Sequence, residues 1–431
     1  MKPAFTMTIL QRLVLILCIG TVASPAWANE LTPEEAAFRE LFRELVEINT
    51  TLSVGDCTKA AEVVAARLKT AGLPERDIHV IVPPGFPREG NLVATLRGSN
   101  PNSKAILLLA HIDVVEAKRE DWIRDPFTLV EEDGYFYGRG VVDDKAMAAI
   151  FADMFVRMKQ EGYQPERTLK MALTCGEESS DAVNGVSYLL KEHRKLIEAE
   201  FAINEGGGGR IGPDGRYVFN GIQAGEKLYQ DYRLEITNAG GHSSRPQKDN
   251  AIYRLAAALS RIEAHNFPIE FNDTTRHFFD RMSTIISGQI AQDLQAILQD
   301  PPDPEALKRV TGDPSYNSIL HTTCVATMLD AGHAPNALPQ RAGANINCRI
   351  FPGHTAEDIR QVLERVVADQ DMAITFAYPP ESSAPPPPLT PEILEPIEQL
   401  TEQMWPGVPV LPSMIAGGTD GRFLTPAGIP T

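Results

Sequence analysis

Residues 105–115, with the letters AILLLAHIDVV, constrain the fold more than any other stretch of the sequence. Consecutive apolar residues without alternation are typical of a strand that is buried on both faces of a sheet. The run ends in His111 and Asp113, and side chains two residues apart on a strand point in the same direction. A carboxylate beside an imidazole fixes the ring tautomer, as a metal ligand requires. A buried histidine satisfied by a neighbouring acid is the alternative interpretation.

The bulk properties narrow the class of protein. A length of 431 residues predicts two domains, because one hydrophobic core rarely serves so long a chain. The net charge of -17 argues against a nucleic-acid partner, since there is no basic surplus to neutralise phosphates. Residues 1–28 combine early cations, an apolar run and a small-x-small site at 26–28, which predict a cleaved signal peptide and a secreted or periplasmic protein. No later run is long enough to predict a membrane span.

Cysteine usage leaves one question open. The cysteines after the predicted cleavage site are Cys57, Cys175, Cys324 and Cys348. Their spacing matches no zinc knuckle, and they are too sparse for a disulfide scaffold. Cys324 and Cys348 fall on two predicted strands of the same small domain, so they could pair in an oxidising compartment.

Helices and apolar strands alternate from residue 31 to about 224, which predicts an α/β fold with a mostly parallel sheet covered by helices. Three predicted strands end in polar chemistry, at His111, at the pair Glu177 and Glu178, and at Glu205. Asp143 lies just before a predicted helix, where capping that helix is its simplest role. Ligands bind at the carboxyl ends of strands in open α/β sheets, so we expect these side chains to gather there.

The pattern changes near residue 225. Strands at 229–237, 322–329, 343–351 and 372–377, with helices at 250–264 and 355–369, predict the βαββαβ order of a ferredoxin-like α+β domain. An insertion at 271–318, with helical character at 291–298, interrupts it. We therefore divide the mature chain into a catalytic domain of two parts, 29–224 and 382–431, and a small lid and dimerisation domain at 225–381.

The residues at the strand ends predict metal chemistry. One imidazole with several carboxylates is a mixed nitrogen and oxygen ligand set, which suits zinc and is tolerable for manganese or cobalt. A carboxylate can bridge two ions, and such a pair supports hydrolysis. No thiolate belongs to the set, which argues against a purely structural site.

Six ordered motifs resemble those of the di-zinc metallopeptidases that include glutamate carboxypeptidase, carnosinase, aminoacylase and acetylornithine deacetylase. They are HIDVV at 111–115, GRGVVDDK at 138–145, GEESS at 176–180, NEGGG at 204–208, GGHSSRP at 240–246 and PNALPQRAGANINCRIFPG at 335–353. The resemblance covers nearly all of residues 31–431 and is strongest to the carboxypeptidase S and N-acyl amino acid hydrolase branch. It implies a zinc-dependent exopeptidase fold with an inserted small domain, and a homodimer formed through that domain. The implied reaction is hydrolysis of amide bonds beside a free carboxylate, in peptides or N-acyl amino acids.

The resemblance also implies ligand roles by position. Two zinc ions per subunit are expected. His111 and Glu205 would be terminal ligands of one zinc, Asp143 would bridge the two ions, and Glu178 would bind the other. Asp113 would orient the imidazole of His111.

The remaining implied roles concern proton transfer and substrate binding. Glu177 would be the general base, which takes a proton from water and delivers it to the leaving amine. His242 would polarise the scissile carbonyl in the active site of a partner subunit. Asn336 and Arg349 would hold the substrate carboxylate, helped by backbone donors of the turn Gly417, Gly418 and Thr419. Each has a structural alternative: His242 and Asn336 could be turn residues, and Arg349 could pair with an acid across the sheet.

One departure from the family pattern concerns the C-terminal end. In the family a last histidine, beyond the equivalent of the GGTDGR turn, completes the zinc held by Glu178, and no histidine follows His354 here. We therefore expect a C-terminally truncated gene product whose second zinc site is one ligand short. The missing ligand favours a second hypothesis, a non-catalytic protein that binds carboxylate ligands. The retained Glu177 argues against that hypothesis.

Overall fold

The computed structural model describes residues 31–179 and 181–431. The predicted signal peptide at 1–28 lies outside the described residues. Within the two described ranges, no helix has both the length and the apolar character needed to cross a bilayer.

The first half of the chain alternates helices with short strands, as the sequence predicts. Its helices are α1 (Pro33–Glu47), α2 (Cys57–Thr70), α3 (Lys145–Gln160), α4 (Gly185–Glu192) and α5 (Arg194–Ile197), and its strands are β1 (Ile78–Ile81), β2 (Asn91–Leu96), β3 (Ile106–His111), β4 (Val130–Glu132), β5 (Tyr135–Tyr137), β6 (Leu169–Thr174) and β7 (Phe201–Ile203). Helix α2 begins where its N-cap residue Asp56 accepts the N–H of Lys59 at 3.0 Å.

The central sheet has the strand order β1-β2-β6-β3-β7 and is mixed. Strand β3 pairs in parallel with β6 and β7, whereas β1 with β2 and β2 with β6 pair antiparallel. His111 lies opposite Thr174 in the register, and Leu108 lies opposite Ile203. The carboxyl ends of β3, β6 and β7 therefore meet at one edge of the sheet, where the sequence places its polar side chains.

The second half adds nine strands and eight helices within the described residues. The strands are β8 (Gly208–Ile211), β9 (Tyr217–Glu226), β10 (Leu228–Thr237), β11 (Gly241–His242), β12 (Thr323–Ala331), β13 (Ala337–Leu338), β14 (Arg341–Ile350), β15 (Ala373–Phe376) and β16 (Val410–Ile415), and the helices are α6 (Ala251–Ala264), α7 (Asp273–Ile285), α8 (Gln289–Ala296), α9 (Pro304–Thr311), α10 (Pro314–Ser318), α11 (Ala356–Val367), α12 (Pro391–Met404) and α13 (Gly421–Leu424).

An antiparallel sheet in this half has the order β12-β14-β10-β15. Its strands and the helices α6 and α11 follow one another in the predicted βαββαβ order. Tyr232, Ile346, Leu255 and Leu363 belong to one buried cluster, so the strands β10 and β14 share a core with both helices. Burial of this apolar face stabilises the sheet. The predicted domain boundaries at 225 and 381 stay a prediction.

The insertion is more helical than the sequence pattern indicates, because the four helices α7 to α10 fill it. Side-chain caps begin three of them: Asn272 caps α7, Asp303 caps α9 and Asp313 caps α10. Phe279 is buried in a cluster that also holds Leu411 of β16. The insertion is therefore packed against the strand that leads to the GGTDGR turn.

The structure pairs all four cysteines of the described chain. Cys324 and Cys348 lie opposite each other on β12 and β14 and form the disulfide that the sequence left open. Cys57 and Cys175 form a second disulfide, which joins the start of α2 to the residue after β6. Sequence analysis did not consider this second pair, because connectivity does not follow from spacing alone.

Candidate metal centre

Three predicted ligands converge at the carboxyl edge of the central sheet. One ligand atom from each of His111, Asp143 and Glu205 lies within 4.8 Å of the other two. The Nε2 atom of His111 is 2.8 Å from Oδ1 of Asp143 and 3.6 Å from Oε2 of Glu205. Three segments far apart in the sequence thus bring one imidazole and two carboxylates together.

The imidazole of His111 is held in the orientation that a ligand needs. Its Nδ1 lies 3.1 Å from the carbonyl oxygen of Asp113, to which an Nδ1–H donates, so Nε2 faces the two carboxylates. Burial alone would lower the pKa of His111, but the surrounding carboxylates of Asp113, Asp143 and Glu205 outweigh it and raise the pKa well above its usual value. The carboxylate of Asp113 lies farther from Nδ1, at 3.6 Å, and the orienting role of Asp113 stays a prediction.

The carboxylate of Asp113 instead holds the loop that follows β6. Its two oxygens accept the N–H groups of Glu177 at 3.3 Å and Glu178 at 3.0 Å. Burial, followed by the charge of Asp420, raises the pKa of Glu177 to about 8. Burial, followed by the charge of Asp143, also raises the pKa of Glu178. Glu178 does not belong to the group within 4.8 Å, and its predicted role as a ligand stays a prediction.

Asp144 and Lys145 are buried beside this group and were not assigned a role from the sequence. The Oδ2 atom of Asp144 is buried and has no hydrogen-bond partner, and burial raises the pKa of Asp144 to about 8. Lys145 donates from Nζ to the carbonyl of Ile48 at 2.7 Å, and burial lowers its pKa to about 7.

The residues present fit a divalent cation. Hard and borderline cations bind imidazole nitrogen and carboxylate oxygen, which are the donors that converge here. Several acids are partly or fully buried at one sheet edge, and a cation would offset the cost of their negative charges. The orphaned oxygen of Asp144 is consistent with a site arranged around positive charge.

The turn after β16 connects the strand ends to one another. Asp420 is buried and accepts hydrogen bonds from Asn184 at 2.6 Å and from Thr174 at 3.2 Å. Nη1 of Arg422 lies 3.8 Å from Oε1 of Glu177. Sequence analysis singled out the glycine turn but assigned neither Asp420 nor Arg422, although both letters stand in the same GGTDGR motif.

The predicted backbone donors of this turn are only partly free. The N–H and hydroxyl of Thr419 both donate to Oε2 of Glu226, at 2.8 and 3.0 Å. Gly417 and Gly418 are half-buried, and Arg422 passes close to Gly418. The role of the turn in substrate binding stays a prediction.

Glu226 supports a prediction about pH. Burial raises its pKa to about 7, although the hydrogen bonds from Thr419 act in the opposite direction. Between its ordinary pKa and pH 7 the folded state binds more protons than the unfolded state, so the free energy of unfolding falls as pH rises. At about 1.4 kcal/mol per pKa unit, this group should lower the free energy of unfolding of the wild-type protein by at most about 3 kcal/mol between pH 5 and pH 8. We expect Glu226→Gln to abolish that decrease. Urea unfolding at both pH values measures the free energy of unfolding, with the surface variant Glu305→Gln as control. An equal pH dependence in wild type and Glu226→Gln would contradict the assignment.

The predicted substrate-binding residues fall into two places. His242 on β11 pairs with Ala337 of β13, and Ser243 donates its N–H to the carbonyl of Asn336 at 3.1 Å, so His242 and Asn336 are neighbours. Both are exposed, and Nδ1 of His242 accepts the N–H of Ser244.

Arg349 lies elsewhere, on β14 beside the turn that follows β16. Its Nη1 donates to the carbonyl of Ala416 at 3.1 Å, its Nε donates to Asn347 at 3.3 Å, and its guanidinium stacks 4.4 Å from the ring centroid of Tyr229. No acid across the sheet pairs with it among the described residues, in contrast to the structural alternative.

Comparisons with known proteins identify the class. The family model described as peptidase family M20/M25/M40 matches residues 107–431. The chain therefore belongs to this peptidase family. The solved structure of an M20 family metallo-carboxypeptidase, Sso-CP2 from Sulfolobus solfataricus, matches with a TM-score of 0.64 at 19% identity, over 93% of this chain and 90% of that one. This likeness shows the shared fold.

Two curated relatives are more similar to this chain in sequence than that solved structure is. The human protein named N-fatty-acyl-amino acid synthase/hydrolase PM20D1 is 31% identical over 77% of this chain and 66% of its own length. The Dictyostelium discoideum protein named probable carboxypeptidase S-like 2 is 29% identical over 77% of this chain and 64% of its own length. The chain thus spans just under two thirds of the length of these relatives. Their names agree with the branch to which the motifs are most similar.

Proposed function

We propose that the chain is a metal-dependent hydrolase of amide bonds beside a free carboxylate, acting on N-acyl amino acids or short peptides. The observation that carries the proposal is the group of His111, Asp143 and Glu205, whose ligand atoms lie within 4.8 Å of one another next to the loop of Glu177. The family and the names of its relatives support the same reaction type.

The metal would be held by His111, Asp143 and Glu205, with Glu178 available to a second ion. Zinc fits this donor set best, with manganese or cobalt as alternatives. When bound, such an ion supplies Lewis acidity that polarises a carbonyl and acidifies water.

Glu177 performs the proton transfers in this proposal. Its carboxylate takes a proton from the attacking water and passes it to the nitrogen that leaves. Asp113 keeps the base in place, because it binds the backbone N–H of Glu177 and of the next residue. Arg422, 3.8 Å away, restricts the carboxylate from the other side.

Arg349 binds the substrate carboxylate in this proposal. A guanidinium offers two parallel donors to a carboxylate, and Arg349 is oriented by Ala416, Asn347 and the ring of Tyr229.

We expect Arg349→Ala to raise KM by about 10-fold to 100-fold for substrates with a free carboxylate, since hydrogen bonds to charged groups contribute about 1.5–3 kcal/mol. The effect on carboxamide versions of the same substrates should be small. Steady-state kinetics on both series measures the difference. Arg341→Ala is the matched control, because Arg341 is an exposed arginine on the same strand. Equal effects of Arg349→Ala on both series would contradict carboxylate binding.

We also propose a homodimer formed through the sheet that contains β12. This strand lies at the edge of its sheet and exposes Val325, Met328 and Leu329, which are more than half exposed. An exposed apolar edge strand is a surface that a partner chain can cover. His242 is exposed and would reach the site of the partner subunit, where it polarises the carbonyl. A molar mass of one chain in light scattering would contradict the dimer.

We also propose that residues 1–28 direct secretion or export to a periplasm.

A substrate panel tests the activity. N-acyl amino acids of different acyl length and dipeptides, each with its carboxamide counterpart, are offered to the chain with zinc, manganese or cobalt. We expect turnover only of the free carboxylates, with bound metal detected by elemental analysis. Binding of these compounds without turnover, at one metal ion per chain, would contradict the hydrolase function and favour the hypothesis of a carboxylate-binding protein.

A further inference from the structure

The loop that carries Glu177 and Glu178 begins at a disulfide. Cys175 follows β6 directly and is bonded to Cys57, at the first residue of α2, across a sequence separation of 118 residues. Both side chains are buried, at 2% and 5% exposure. The predicted base is therefore two residues from a covalent link to a helix.

Each end of this link is fixed by backbone hydrogen bonds. Cys57 donates its N–H to the carbonyl of Arg88 at 2.8 Å. Cys175 donates its N–H to Oδ1 of Asn91 at 3.0 Å, and its carbonyl accepts the N–H of Gly185 at 2.7 Å. The disulfide thus connects a firmly held helix start to the base of a closed loop.

Hydrogen bonds also anchor the loop, and Val183 donates its N–H to Oε2 of Glu89 at 2.9 Å. Asp113 accepts the N–H groups of Glu177 and Glu178, and Asn184 donates to the carbonyl of Gly176 at 3.3 Å. The backbone N–H groups of Glu177 and Glu178 are thus both held by one carboxylate, that of Asp113. A covalent link beside them limits how far the two carboxylates can move.

We propose that the Cys57–Cys175 disulfide is a positioning cross-link for Glu177 and Glu178, so that its reduction slows hydrolysis. This inference rests on the proposed function. A displacement of about 1 Å in a reacting group can cost about 100-fold in rate. We therefore expect reduction to lower kcat about tenfold or more, with KM changed by less than about threefold.

A small reductant has a route to the sulfur atoms. A cavity of about 270 Å³ is lined by Cys57, Cys175, Asp113 and Glu178. An external dithiol would supply two electrons and two protons to the S–S bond, giving two protein thiols, while the dithiol itself is oxidised to a disulfide. Asp113 and Glu178 thus border the same cavity as the disulfide.

The second disulfide provides a matched control. We compare the wild-type protein with the double variants Cys57→Ala/Cys175→Ala and Cys324→Ala/Cys348→Ala, all purified from an oxidising compartment. The first double variant should show the tenfold loss in kcat without reductant. The second should keep the kcat of wild type and remain sensitive to the reductant. Circular dichroism confirms that each variant is folded at the assay temperature.

Dithiothreitol titration then separates positioning from metal removal. Any loss that dithiothreitol causes in Cys57→Ala/Cys175→Ala measures chelation of the metal together with any effect of reducing Cys324–Cys348, because that variant has no disulfide left beside Glu177. Peptide mapping confirms which disulfide is reduced. Wild-type kcat that is unchanged after Cys57 and Cys175 are reduced would overturn the proposal, and so would finding these two residues as free thiols in the oxidised protein.

Hydrogen exchange gives a measurement that does not depend on turnover. Reduction should speed exchange of the amides in residues 176–184 and leave those of α7, which holds no cysteine, unchanged. If the oxidised wild type turns over no substrate, the proposed function fails, and this exchange measurement still decides the positioning role. Equal exchange in 176–184 before and after reduction would overturn it.

Discussion

Replacing Glu177 by alanine should lower kcat by about 10²-fold to 10⁴-fold, because a positioned general base contributes that much to a proton transfer. The metal content should stay that of the wild-type protein, since Glu177 is outside the group formed by His111, Asp143 and Glu205. Pre-steady-state and steady-state kinetics with elemental analysis on the same samples measure both quantities. Glu177→Gln keeps the size of the side chain and should be equally impaired.

The matched control for Glu177 is Asp181→Asn. Asp181 is an exposed acid a few residues further along the same loop, and neutralising it should change kcat by less than about twofold, as surface substitutions usually have small effects. A Glu177→Ala variant with wild-type kcat would remove Glu177 from the proposed role. Loss of metal in that variant would place Glu177 among the ligands instead.

Replacing His111 by alanine should abolish turnover through loss of metal. Changing an outer partner of a ligand alone costs about 10-fold to 100-fold in metal affinity, so removal of a ligand nitrogen should cost more than about 100-fold. Competition with a chromophoric chelator measures the affinity, and elemental analysis measures the number of ions per chain.

His333→Ala provides the comparison for this second variant. His333 is exposed and its loss should leave metal affinity and turnover unchanged. Wild-type metal affinity in His111→Ala would contradict the proposed centre. The two variants also distinguish loss of the general base from loss of the metal. Glu177→Ala should lose turnover and keep the metal, whereas His111→Ala should lose both.

The convergence of His111 and Glu205 could be predicted from the sequence because strand direction determines where a strand ends, whereas the place of Asp143 beside them was implied by the resemblance to the family. The runs at 106–110 and 201–203 are apolar and short, and each is followed at once by a polar residue, His111 or Asn204. Parallel pairing then brings their ends to one edge. The βαββαβ order was predictable for a related reason, since the change from continuous to alternating apolar residues marks a sheet with one solvated face.

Contacts between distant segments could not be predicted in the same way. Asp420 bonds to Thr174 across a sequence separation of 246, and nothing local to either residue indicates the other. The Cys57–Cys175 disulfide likewise joins two segments that are distant in the sequence. Helices α9 and α10 of the insertion were missed for another reason: their caps Asp303 and Asp313 are visible in the sequence, but the helices are only 8 and 5 residues long. So short a segment carries too little periodicity to predict a helix.

The turn that holds Asp420 is made late in synthesis, long after the strand ends that it contacts. Ribosomes deliver the chain from its N-terminal end, and the strands that carry His111 and Glu205 emerge long before the residues after β16. The hydrogen bonds from Thr174 and Asn184 to Asp420 cannot exist until the intervening antiparallel sheet and the insertion have been made. A nascent chain therefore carries its acidic strand ends without their last structural neighbour for most of translation.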